Sequence, residues 1–210
     1  MCAIWHTSKV KSWNDMLSKP FLVGSQGPGS DEMFALMISN IFGVKLRVVS
    51  GYPGGNEINL AMERGEVDGR CGWSWGSVKA TRADWLARKQ INLPLQIALR
   101  GAPDLPDVPL VTTFARNDRD RQILRVVLGR QQMAWPFVAP PGLPKDRAAT
   151  LRKAFDATMR DPAYLAETKQ RGLEVDPMTG AEVDKLIGEV YATPPDAIAA
   201  TRKAISSSGK

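Results

Sequence analysis

Three short stretches carry residue types that could hold a small molecule, each combining glycine with a hydroxyl, an amide or an indole. The first is Gly24-Ser25-Gln26-Gly27-Pro28-Gly29-Ser30. Its glycines let backbone approach a ligand closely, its side chains offer hydroxyls and an amide, and the N–H groups opening a following helix would face an anion. Ser25, Gln26, Gly27, Gly29 and Ser30 are the candidate contacts. A plain glycine turn with Ser30 as helix cap accounts for the same residues. The spacing is GxxGxG, unlike the dinucleotide GxGxxG, and no GK[ST] phosphate loop is present.

The second stretch, Gly51-Tyr52-Pro53-Gly54-Gly55-Asn56, also opens a helix. Tyr52 could wall a ligand while Gly54, Gly55 and Asn56 present amides; Asn56 as a helix cap is the alternative. The third is Gly72-Trp73-Ser74-Trp75-Gly76, where Trp73 and Trp75 flank Ser74. Aromatic walls around one polar group suit a small organic ligand, although either indole alone reads equally as core. Arg70, two residues earlier, is a candidate carboxylate clamp or one half of an ordinary ion pair.

Catalytic chemistry is poorly supplied. His6 is the only histidine, so a nucleophile–histidine arrangement or a His/Cys metal site would depend on that one residue. Asp31, Glu32, Glu57, Glu63, Glu66 and Asp68 fall at helix starts and turns, where carboxylates complement the helix dipole. No catalytic residue, no metal and no cofactor is expected.

These turns need elements to hold them. Pro20–Ser25, Lys45–Ser50, Val67–Trp73 and Leu93–Arg100 read as strands. Between them, Asp31–Phe42, Asn56–Gly65 and Trp75–Lys89 show helical spacing. This β-α-β-α-β-α-β order predicts an α/β fold with an open, largely parallel sheet covered by helices, whose ligands sit outside the carboxyl ends of the strands. A Pro-rich connection, Gly101–Pro109, leads to a helix over Asp118–Met133 and a strand at Trp135–Ala139. Helices follow at Pro144–Arg160, Pro162–Arg171, Ala181–Ala192 and Pro195–Ile205. One strand with this many helices is not a complete α/β layer, so more sheet is expected from upstream or from another chain.

Composition bounds the partners. The 210 residues are 43% hydrophobic and 24% charged, which fits an ordinary globular chain of one large or two small domains. The net charge of +6 is spread out. Its densest run, Arg116–Arg130, alternates with Asp118 and Asp120 and has no interleaved aromatics, so no nucleic acid partner is expected. A modestly basic surface also suits capture of anions. No run approaches the roughly 18 apolar residues of a membrane helix. Met1–Trp13 lacks a secretory signal, which by itself reads as cytoplasmic. Cys2 and Cys71 have no CxxC spacing and are not expected to form a framework, a bridge between the two being the minority reading.

Several blocks together resemble one family. Val49–Gly69 is similar to its "V-P-Y-x-G … A-L-x-x-G-x-V-D" block, and GSQGPGS to its glycine- and serine-rich loop. Leu105-Pro106-Asp107-Val108-Pro109 resembles "L-P-D-V-P-T", and Ala139–Pro144 resembles "A-P-x-G-T-P". Asp161-Pro162-Ala163 with Gly172-Leu173-Glu174 resembles "D-P-x-…-G-L-E". These are motifs of the tripartite tricarboxylate transporter receptors, also called Bug proteins. Single motifs are weak; five in series across nearly the whole chain are specific. Leu110 and Leu143 stand where the family usually has Thr.

The resemblance implies a type II periplasmic-binding-protein-like fold of two lobes that close on a carboxylate solute. It implies a periplasmic location and membrane permease subunits as partners. One complete lobe would cover 8–104, a crossover 105–134, and an incomplete helical lobe 135–210, with 1–7 as a hinge strand. The family's N-terminal strand–helix segment has no counterpart here, so self-association into a homo-oligomer is expected of the incomplete lobe. The bulky Trp73–Trp75 pair suggests a larger or aromatic acid. The competing reading is an intracellular effector-sensing domain or an enzyme on similar α/β layers.

Overall fold

Alternate residues of the first strand serve two different cores. Cys2 and Ile4 point into one, Ala3 and Trp5 into the other, and all four are buried. That alternation is what a strand covered on both faces must show. The computed structural model describes residues 1–133, 135–173 and 175–207, apart from the side chain of Ser30.

The strands are β1 (Cys2–Trp5), β2 (Phe21–Ser25), β3 (Leu46–Ser50), β4 (Gly69–Cys71) and β5 (Ile91–Leu95). They form one sheet in the order β3-β2-β4-β1-β5. β2 runs parallel to β3 and β4, whereas β1 is antiparallel to both β4 and β5. The expected α/β fold is therefore present, with an antiparallel strand, read from sequence as a hinge, set inside the sheet. The helices of this part are α1 (Trp13–Ser18), α2 (Ser30–Phe42), α3 (Gly55–Glu63), α4 (Trp75–Thr81) and α5 (Ala83–Ala87). On one face, Phe34, Met37, Ile38 and Ile41 of α2 pack with Trp13 and Met16 of α1. On the other, Ile58, Ala61 and Met62 of α3 pack with Val78 and Trp85.

The remaining helices are α6 (Asp118–Gln132), α7 (Lys145–Thr158), α8 (Pro162–Gln170), α9 (Gly180–Tyr191) and α10 (Pro195–Ile205). A short 3-10 turn spans Val111–Phe114. The chain divides into two compact units, Met1–Leu128 with the segment from Pro194 onward, and Gly129–Thr193. These differ from the expected boundaries at 104 and 134. Ile123, Leu124, Val127 and Leu128 of α6 join the first core, and so does Ala204 of α10. Asn40 Nδ2 of α2 donates to Ala204 O at 2.8 Å. In the second unit, Thr179 and Glu182 form a reciprocal cap at the start of α9, and Arg152 pairs with Asp184 at 2.8 Å.

Several expectations are corrected. Trp135–Ala139 forms no strand: Trp135, Phe137 and Val138 are highly exposed, and the run takes part in no strand pairing among the described residues. The fourth strand is Ile91–Leu95 rather than Leu93–Arg100, because Gln96 leaves the ladder. Its buried side-chain amide donates to Leu105 O and Val108 O and accepts from Ala102 N, pinning the Pro-rich connection. The Trp75–Lys89 helix breaks at Arg82, whose φ of −142° is not helical. The helix α1 was not foreseen. Glu174 of the last quoted motif lies outside the described residues.

The cysteines are the largest correction. Cys2 and Cys71 are register partners on adjacent antiparallel strands and form a buried disulfide. A separation of 69 residues gives no spacing signal; only the pairing of β1 with β4 brings the two together.

Candidate functional site

Because β2, β3 and β4 are parallel, the turns after Ser25, Ser50 and Cys71 emerge at one edge of the sheet. The three stretches singled out by composition are thus neighbours. His6 is not among them. β1 runs the opposite way, and Ile4 pairs with Gly69 at the start of β4, which puts His6 toward the other edge.

Arg70 is the centre of this edge. Its side chain is only 7% exposed, and Nη2 donates to Asp31 Oδ2 at 3.0 Å. Nη1 makes a long bond of 3.3 Å to Gly55 O, and Nε–H has no partner among the described residues. The guanidinium lies over the Trp73 ring, 4.7 Å from its centroid. Burial pulls the Arg70 pKa below the usual arginine value, and Asp31 pulls it back up. A buried cation needs such compensation, and here part of its donor set is left over. Arg82 adds a second positive charge at the rim, donating from Nη2 to Asn56 Oδ1 at 3.2 Å.

A cleft of about 360 Å³ opens beside Arg70, lined also by Asn59, Trp73, Ser74 and Ser77. Asn59 is 3% exposed, and its Oδ1 has no hydrogen-bond donor among the described residues. Gly54 caps α3 with no side-chain hydrogen bond, so the first amides of that helix remain available at the same place. A smaller hollow of about 260 Å³ lies along Gln26, Gly27, Pro28, Gly29 and Asp31. The Asp31–Arg70 pair therefore joins the two, one partner lining each.

The expected contacts sort unevenly. Gly55, Asn56, Trp73 and Ser74 line the larger cleft; Gln26, Gly27 and Gly29 line the smaller. Ser25 is buried and spent on its own turn: its Oγ donates to Gly27 O and accepts from Gly27 N. Tyr52 packs into the core beside Gly24 and Ile58. Trp75 turns away, its Nε1–H held by both carboxylate oxygens of Asp104 at 2.8 and 2.9 Å. Neither alternative cap forms, since the cap of α2 is Gly29 and that of α3 is Gly54. The side chain of Ser30 lies outside the described residues.

The sequence pattern does not single out Asn59, and it leaves Arg70 between a carboxylate clamp and an ordinary ion pair. A period-two reading of Gly69-Arg70-Cys71 between buried neighbours was the available signal, because it places an arginine inside a covered strand. Asp31 read as a helix-dipole residue but is the partner of that arginine. Gly72 explains how they meet: its φ is +100°, and a Cβ there would lie 2.7 Å from Asp31 Cα.

Gly55 is equally tight, since a Cβ would lie 2.6 Å from Arg70 Nη1. Gly55→Ala should displace the guanidinium and destabilise the protein by about 1–3 kcal/mol, the usual cost of overpacking. Urea denaturation would show a lowered midpoint; an unchanged midpoint would mean that Arg70 swings aside freely.

No family model and no curated protein matches the sequence. Solved structures do match the fold. One is R. palustris Rpa4515 with adipate, with a TM-score of 0.61 at 14% identity. That alignment covers 98% of this chain and 64% of the other. Another is a TctC solute binding protein from Polaromonas without ligand, with a TM-score of 0.65 at 13% identity. It covers 95% of this chain and 65% of that one. The chain thus has the α/β, periplasmic-binding-protein-like fold of these proteins over somewhat less than two thirds of their length.

Proposed function

We propose that this protein is a solute-binding receptor of the tripartite tricarboxylate transporter family, capturing a small carboxylate outside the cytoplasm for the transporter's membrane permease subunits. One observation carries the reading. A buried arginine with an unused N–H stands in a cleft formed by two strand-end turns, beside the start of a helix whose cap, Gly54, makes no side-chain hydrogen bond. Such a site offers charge-assisted hydrogen bonds to a carboxylate and no acid, base or nucleophile set to transform it. The fold likeness to solute-binding proteins, one of them with adipate, supports the same conclusion.

The ligand-binding residues proposed are Arg70, Asn59, Gly54, Gly55, Asn56, Trp73 and Ser74, with Gln26, Gly27 and Gly29 serving the adjoining hollow. In this reading binding is non-catalytic. A disulfide buried in the sheet suits an oxidising compartment, which supports the periplasm over the intracellular reading. Among the described residues, no helix is long and apolar enough to cross a membrane.

A thermal-shift screen against mono-, di- and tricarboxylates tests the proposal. An acid present at 100 times its Kd should add about 2.7 kcal/mol of stability, an easily visible rise in Tm. A selective rise with some acids is the expected result. A flat response to every acid, at concentrations up to tens of millimolar, would defeat the carboxylate reading.

A further inference from the structure

We propose that the solute carries a hydroxyl beside its carboxylate, so that hydroxy acids are preferred over their deoxy counterparts and over aromatic acids. The inference rests on the carboxylate reading and goes one step further, to what the rest of the cleft demands.

Two polar groups in the cleft wall are buried without partners, and they are of opposite kind. Arg70 Nε–H is a donor and calls for an acceptor such as a carboxylate oxygen. Asn59 Oδ1 is an acceptor, and an ionised carboxylate has no proton to give it. A buried acceptor left unsatisfied carries the full penalty of its desolvation, so a ligand that supplies an O–H here gains what a bare carboxylate cannot.

The other lining hydroxyls serve the two parts of such a solute. Ser74 Oγ accepts from Ser77 N, and Ser77 Oγ accepts from Trp73 Nε1. Both hydroxyls therefore keep a proton to direct at a ligand oxygen. Thr81, also on the cleft, donates its proton to Ser77 O and keeps lone pairs for an incoming O–H.

The aromatic wall expected from sequence is closed off. One face of Trp73 is covered by Arg70, and its ring meets Trp85 edge-on. Trp75 is tied to Asp104. A planar ring would find no open face to stack on. An ammonium could also satisfy Asn59, but the Arg70 guanidinium lines the same cleft and disfavours a cation there.

Isothermal titration of the intact protein with matched acids decides the matter: malate against succinate, glycerate against propionate, and mandelate against phenylacetate. The expected result is at least tenfold tighter binding of the hydroxylated member of one or more pairs. Asn59→Ala should then collapse that ratio toward one. The alanine suits a helix position and removes the unpaired oxygen, so the variant is expected to fold. Equal affinities within every pair that binds would overturn the hydroxyl proposal while leaving carboxylate capture standing. A preference that survives Asn59→Ala would overturn the assignment to Asn59. Failure of every acid to bind would defeat the carboxylate reading, and this inference with it.

Discussion

Replacing Arg70 by alanine should abolish measurable carboxylate binding and at the same time lower stability by about 3–5 kcal/mol. The two effects have separate causes. Binding falls because the guanidinium is the charge that the solute meets, and truncating one member of a buried charge-assisted pair costs about 2–5 kcal/mol, or roughly 30-fold or more in Kd. Stability falls because Asp31, whose side chain is 12% exposed, would keep a carboxylate that no longer has a partner. Breaking a buried pair from one side is costly for that reason, whereas removing both charges together is close to neutral.

The double variant Arg70→Met with Asp31→Asn therefore separates the two effects. It should regain most of the lost stability by urea denaturation and still fail to bind any acid by calorimetry. Arg70→Lys should bind weakly, since an ammonium keeps the charge but not the planar fork. Wild-type affinity in the double variant would show that Arg70 is a structural ion pair and that the solute is held elsewhere.

Reduction of the Cys2–Cys71 bridge should destabilise the first unit by about 4 kcal/mol, the chain-entropy estimate for a closed loop of this length. For a chain of this size that corresponds to a fall in Tm of roughly 10 °C. The reason is topological. β4 is only three residues long, yet it carries Arg70 and leads directly into Gly72 and Trp73. It is held by its register with β1, by Gly72 N donating to Met1 O at 2.9 Å, and by the bridge.

Melting followed by circular dichroism, with and without reductant, and on Cys2→Ser, would measure the effect. Because both sulfurs are buried, reduction should require partial unfolding, and native protein should resist alkylation. Superimposable melts for the oxidised and reduced protein would contradict the assigned role of the bridge. Two freely alkylated thiols in the protein as purified from an oxidising compartment would contradict the bridge itself.

The exposed apolar residues of the second unit lead to a smaller expectation. Trp135, Phe137, Val138 and Tyr191 are each more than four-fifths exposed, and large exposed apolar side chains are a mark of interaction surfaces. We propose that they support self-association. Sedimentation at micromolar concentration should show species above the monomer, and a strict monomer would count against this.

What the sequence determined by itself was local. Helical spacing with glycine and proline boundaries located α2, α3, α6 and α7 to α10 to within a few residues; α2, α3 and α6 bury the apolar stripe that repeats every three or four positions. Short apolar runs ending in glycine located β2 and β3, and their order required an α/β sheet. The glycine-rich turns were legible as ligand loops because few other roles call for so many glycines beside hydroxyls and amides. The series of family motifs pointed to the fold that the solved structures share.

Tertiary structure decided the rest, and in each case the cause was a partner remote in sequence. Trp73 and Trp75 look equivalent two residues apart, yet one meets Arg70 and Trp85 while the other meets Asp104. Trp135–Ala139 has the composition of a strand but no neighbouring strand to pair with. Ser25 is chemically fit for a ligand but is consumed by its own turn. Arg70 and Asp31 are 39 residues apart and become a pair only when β4 lies beside β2 and α2. Cys2 and Cys71 become a bridge only when β1 inserts antiparallel to β4. Periodicity reports which face of an element is buried; it cannot report what that face is buried against. That is set by strand order and register, and the arginine at the heart of the proposed site depends on both.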